Sequence, residues 1–246
     1  MTAPHHAPGV QPVIGVDAGT ASLRQADHLI HHLMDRLGLP PVTIACTHLI
    51  RTDERRCVAI TFALPDAEVA EAVWERLADV LGPDAGAVLG GREQGAVLGG
   101  REQGPVQATR GATLAAEEHA QQRGGRAVVY PAAERLTGTV TVADLLTLTA
   151  IDQVSVVGTP PTGDHELDPA ILVLTRDHVR PEWRGGRLTL SLVPAVGGTL
   201  APFEVPNPTP CCADHTSPAR PPRAALPALA PPRSLAGESS PTPSPY

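Results

Sequence analysis

Residues 42–64 read VTIACTHLIRTDERRCVAITFAL, two β-rich apolar runs joined by the charged segment RTDERR. Branched and aromatic residues fill both runs and a polar pair separates them, which is the signature of a β-hairpin. With Asp53 and Glu54 at the turn, Thr52 pairs with Arg55, and the two-residue period of a strand then fixes every partner. Leu49 opposes Val58, Thr47 opposes Ile60 and Ala45 opposes Phe62 on one face. The other face carries Cys46, His48 and Ile50 beside Cys57, Ala59 and Thr61.

The flanking segments extend this pattern. Val13 to Val16 is a short apolar run, and Ser22 to Leu37 is an amphipathic helix with Leu23, Ala26, Leu29, Ile30, Leu33, Met34 and Leu37 on one side. Gly38 ends it, with Pro40 and Pro41 beyond. After the hairpin, Asp66 caps a second helix to Leu81 whose inward side is Val69, Val73, Trp74, Leu77 and Val80. Strand, helix, hairpin, helix is most of a ferredoxin-like βαββαβ unit, its last strand coming from the AVL near residue 88 or from Ala127 to Tyr130. In such a sheet both helices cover one face, leaving the face of Cys46 and His48 open.

The nonapeptide GAVLGGREQ occupies 86–94 and recurs without change at 95–103. Two units are too few for a solenoid, so the repeat reads as a duplicated, tolerant surface loop closing a first unit at 10–104. Residues 105–215 read as a β-rich second half. It has a helix at Leu114 to Gln122, a strand at Arg126 to Tyr130 and a short helix from Thr141 to Thr149 started by Thr141 and Asp144. Strands follow at Val154 to Val157, Ile171 to Thr175, Arg187 to Val193 and Thr199 to Val205, the last two turning at Gly197 and Gly198. Residues 1–9 and the Pro-rich tail 216–246 are expected to be disordered. The expected fold class is α+β.

Composition removes several chemistries. The chain has no lysine, so neither a Schiff base nor a phosphate-loop lysine can form. A formal charge of −7 and only two each of Trp, Tyr and Phe argue against nucleic acid. No apolar run is long enough for a membrane span, and MTAPHHAPG lacks the features of a leader, so a cytoplasmic protein with reduced thiols is expected. The Arg, Ala, Gly and Pro bias is that of a GC-rich bacterial coding sequence.

IGVDAGTAS at 14–22 resembles the first phosphate motif of sugar kinases and related actin-fold ATPases, which implies an Asp and a Gly-Thr turn approaching Mg-ATP. In that family a second strand follows. Here an amphipathic helix follows and no later adenosine motif is present, so Asp17, Gly19 and Thr20 read as a turn and Ser22 as a helix cap.

Two Cys/His groups carry candidate metal chemistry. Cys46 and His48 project the same way and Cys57 lies diagonally opposite, a donor set suited to zinc. Cys211 and Cys212, with Asp214 and His215, offer a soft-metal or redox-responsive thiol group. His28, His32 and Asp35 share a helix stripe that reads as a solvated face, and Arg176, Asp177 and His178 lack a nucleophile. Two functions follow. The first is a non-enzymatic binding or regulatory module holding a protein, a small molecule or a second copy on the open sheet face. The alternative is a thiol-dependent protein, zinc-binding or redox-responsive.

Overall fold

The computed structural model describes residues 11–52, 55–93, 96–158 and 167–206. Cys211, Cys212 and His215 lie outside the described residues, as do the expected disordered segments 1–9 and 216–246.

The described residues open with strand β1 (Gln11–Asp17), and Ser22, accepting from the Gln25 N–H, starts helix α1 (Leu23–Leu37). Gly38 stops that helix in the left-handed conformation, at φ 59°, where glycine carries no Cβ penalty. The hairpin β2 (Ile44–Arg51) and β3 (Arg56–Ala63) follows, then α2 (Ala67–Val80), whose Asp66 cap accepts from the Val69 N–H at 2.8 Å. Next come β4 (Gly86–Glu93), β5 (Ala96–Gln103), α3 (Val106–Ala120), β6 (Arg126–Val129), β7 (Thr139–Thr141) and α4 (Val142–Leu148). The described chain finishes with β8 (Gln153–Val156), β9 (Leu172–Leu174), β10 (Glu182–Arg184), β11 (Arg187–Pro194) and β12 (Leu200–Pro202).

These strands form one mixed, mostly antiparallel sheet in the order β5-β4-β1-β3-β2-β6-β10-β11-β12-β9-β7, with β8 beside β11. The hairpin register is the one its turn implies, Ala45 to Phe62, Thr47 to Ile60 and Leu49 to Val58. Helices α1 and α2 bury Ala26, Ile30, Leu33, Leu37, Trp74 and Leu77 against Ile14, Val16, Ile60 and Phe62. A second core lies under α4, where Tyr130, Leu145, Ile151, Leu188, Leu190 and Leu192 pack together with Cys46.

Two expectations are corrected. The duplicated nonapeptide is not a loop: its first copy is β4, antiparallel to β1, and its second is β5, which pairs back on the first. Nor is the Cys46 and His48 face open to a partner or a second copy, because α3 crosses it from Gly86 on β4 to Thr61 on β3 and His48 on β2. Its footing is small. Ala108, Ala112, Ala115 and Ala116 are buried, and a Cβ on Gly15 would fall on the Ala112 carbonyl. Backbone approaches the sheet where a larger side chain would hold it off.

We expect Gly15→Ala to cost about 1–3 kcal/mol by overpacking, read as a lower urea midpoint. Gly82→Ala, with open space around its Cβ, should leave the midpoint in place.

Candidate metal centre

Cys46 and His48 alternate onto the face of β2 that α3 covers, and His119 reaches the same place from the last turn of α3. One ligand atom from each of the three lies within 4.8 Å of the other two, and all three residues are buried. Tetrahedral zinc with imidazole and thiolate ligands sets its donor atoms roughly 3.3–3.8 Å apart, so a contraction of about 1 Å would close this trio.

The surrounding hydrogen bonds fix the imidazoles. His48 Nδ1 lies 2.9 Å from Glu118 Oε2, and a carboxylate can only accept, so Nδ1 carries the proton. His48 Nε2 then accepts from the Thr61 hydroxyl at 3.0 Å, which in turn accepts from His119 Nδ1 at 2.7 Å. The lone pair of His48 Nε2 is thus taken up by the Thr61 hydroxyl, which an ion bound at that nitrogen would have to displace. A carboxylate on the second ring nitrogen is the arrangement that orients histidines in metal sites, and Glu118 takes that place on His48.

Burial pushes the Cys46 thiol up from 9.0 to about 12, against an opposing pull from the Trp183 indole and the Arg126 guanidinium. Without an ion it is therefore a neutral thiol. Trp183 Nε1 is itself buried and makes no well-formed hydrogen bond among the described residues, the Cys46 sulfur being the group it acts on. A divalent ion would displace the thiol proton, and its two charges would be balanced by the thiolate and the Glu118 carboxylate. The Trp183 N–H would then face an anionic sulfur instead of a neutral one.

Comparison with protein-family models, curated proteins and solved structures finds no match. The reading of the site rests on its own chemistry.

Cys57, expected as a third ligand, is not in the group. It pairs with Ile50, four residues along β2 from Cys46, roughly 13 Å away at strand spacing. Its thiol donates to Asp17 at 3.2 Å, and burial with that carboxylate pushes it up to about 11. At such a separation the two thiols cannot form a disulfide. Asp17 also accepts from Arg55 and from the Gly19 N–H, and Thr20 donates to the Val58 carbonyl, so the segment resembling a phosphate motif is a turn packed onto the hairpin. The His28, His32 and Asp35 stripe is exposed.

His119 was invisible as a ligand in the sequence. It stands far along the chain from the hairpin, in a helix whose alanine-rich start gives little amphipathic contrast. Only the neighbouring pair Glu118 and His119 hinted at more than a surface.

Thr61, His48 and Glu118 have the connectivity of a hydroxyl-imidazole-carboxylate triad. Thr61 is fully buried, however, and Gly125 backbone lies against His48, so no substrate carbonyl can approach the hydroxyl.

Beside the centre, Arg126 bonds Asp27 of α1 at 2.7 Å and Glu204 at 2.5 Å, and His178 bonds Glu204 at 2.9 Å. Burial opposes the Arg126 charge, but the bonds to Glu204 and Asp27 outweigh it and hold its pKa above the ordinary value. Burial would raise Glu204, yet Arg126 and His178 hold it below its ordinary value. His178 thus belongs to a structural ion network.

Alkali should destabilise the metal-free protein through the buried thiols. Above pH 9 the unfolded chain ionises at Cys46 while the folded one stays neutral to about 12, so stability falls as pH rises through that window. Cys46→Ala should reduce the slope of stability against pH between 9 and 11, measured by urea titration.

Proposed function

We propose that this is a metal-binding protein that holds one zinc-like divalent ion between β2 and α3 through Cys46, His48 and His119, with Glu118 orienting His48. The observation that carries this reading is the meeting of three ligand atoms within 4.8 Å in a buried site where an imidazole is already backed by a carboxylate. Borderline-soft N and S donors favour zinc over magnesium or calcium, which take oxygen ligands. Since its ligands come from a strand and from the helix laid over it, the ion has the position of a structural fastener. The N-terminal four strands and two helices are read as a ferredoxin-like unit, and a cytoplasmic setting would keep Cys46 reduced.

Untagged protein purified under reducing conditions should carry close to one zinc per chain. Cys46→Ser and His119→Ala should each lose most of it, while Cys57→Ser should retain it. Absence of metal from the purified chain, together with no rise in melting temperature on adding excess zinc, would sink the reading.

A further inference from the structure

Strand β8 takes one edge of β11 from Thr189 to Leu192, while β10 pairs at Thr189 and β12 at Leu192, so β10 and β12 share the other edge and leave a gap between them. A cavity of about 170 Å³ lies there, lined by Arg180, Ser191 and Phe203 among others. Strand alternation puts Arg180, Glu182 and Arg184 on one face with Thr189 and Ser191, and turns Trp183 into the core on the other. Arg180 is the group in this lining whose hydrogen bonds are unmade. Its side chain is 17% exposed, yet among the described residues it bonds only the Val179 carbonyl, from Nη1 at 3.2 Å. Its Nε is enclosed and meets no acceptor. Nη2, also without a bond among the described residues, is not enclosed and opens on the cavity. The nearest carboxylate, Asp27, stands 3.9 Å away with both oxygens already bonded to Arg126. Burial and the like charge of Arg126 hold the Arg180 pKa below its ordinary value.

We infer that this cavity binds a small carboxylic acid, its carboxylate accepting from the Arg180 guanidinium and its apolar body lying on Phe203. The planar guanidinium matches a carboxylate, and a bond between the two charged groups is stronger than one between neutral groups. The Ser191 hydroxyl, half-buried on the same face, is a second donor. Phe203, 63% exposed, is the apolar surface that the ligand would cover. The carboxylates of the lining do not compete for Arg180, because Glu204 is held by Arg126 and His178 and Glu182 by Arg184 at 2.8 Å. Arg126, Arg180 and Arg184 face Asp27, Glu182 and Glu204, an even balance that suits one negative charge better than a phosphate dianion. At about 30 Å³ per water the space holds about five or six waters, room for an acid of roughly ten heavy atoms and not for a peptide or a nucleotide.

The test titrates benzoate into isotope-labelled, untagged full-length protein and follows the backbone amides by NMR. The Ser191 and Phe203 signals should move saturably, with a Kd on the order of 1 mM for a ligand of this size. Uncharged benzamide, of the same shape, should bind at least roughly tenfold more weakly, and Arg180→Met should weaken benzoate by a similar factor. Because that substitution touches an ion network, a second variant, Ser191→Leu, fills the cavity and removes no charge. It should abolish the shifts while leaving the rest of the spectrum in place. Equal binding of benzoate and benzamide, or benzoate binding that persists in Ser191→Leu, overturns the site. So does the absence of saturable shifts up to about 20 mM benzoate. Tighter binding of inorganic phosphate than of benzoate overturns the ligand class.

Discussion

Arg126→Met should cost the protein about 3 kcal/mol, at the low end of what breaking a buried ion pair costs, because Glu204 keeps about a third of its side chain in water. The guanidinium is 8% exposed and bridges Asp27 on α1 to Glu204 beyond β12, two parts of the chain that share no other charged link among the described pairs. Methionine fills a similar volume but leaves Asp27 with only Arg180, 3.9 Å away, and Glu204 with only His178. Acid should expose the same coupling. Glu204 is held below its ordinary 4.5, so its contribution is complete above that value and is lost as pH falls through the lower folded value. Urea midpoints measured from pH 7 to pH 3 should therefore decline more steeply below about 4.5 in the unaltered protein than in Arg126→Met. A loss under about 0.5 kcal/mol at pH 7, with matching acid slopes, would mean that the network is ornamental.

Deleting Gly95–Gln103 should be more damaging still. Strand β5 carries the chain back along β4, so that α3 begins beside Gly86. Without it, residue 104 would leave the far end of β4, roughly 25 Å from where α3 must start, with only Gly104 and Pro105 to span the gap. Helix α3 could not lie across the sheet, and the faces of Val13, Ala63, Cys46 and His48 would meet water. The expected outcome is loss of cooperative unfolding, binding of a hydrophobic dye and loss of any bound metal. Were the repeat an idle loop, the deletion would leave the melting temperature within a degree or two.

The hairpin, both flanking helices and most of the later strands were legible because their apolar periods are strong and their turns and caps are conventional. Ser22, Asp66 and Thr141 stand where caps were expected, and the register that puts Cys46 and His48 on one face followed from the two turn residues alone. What could not be read was which element covers that face. The start of α3, VQATRGATLAA, has too few large apolar residues to show a helical stripe, since it packs through alanine and glycine rather than leucine. The expected helix, Leu114 to Gln122, therefore held His119 but was too short to be seen lying across the sheet, and the site was read with the right strand, with Cys57 in it and without His119. The repeat misled for a related reason: glycine-rich duplicated sequence looks like a linker, yet Ala87, Val88 and Leu89 of its first copy are buried beside β1.

Each copy of the nonapeptide amounts to one crossing of the sheet. Copy number therefore sets the heading of everything downstream by parity: two crossings return the chain to the rim it left, whereas one or three would deliver α3, with His119, to the opposite rim. A single further copy should disable the protein as thoroughly as a deletion, while two more could be absorbed as one extra hairpin.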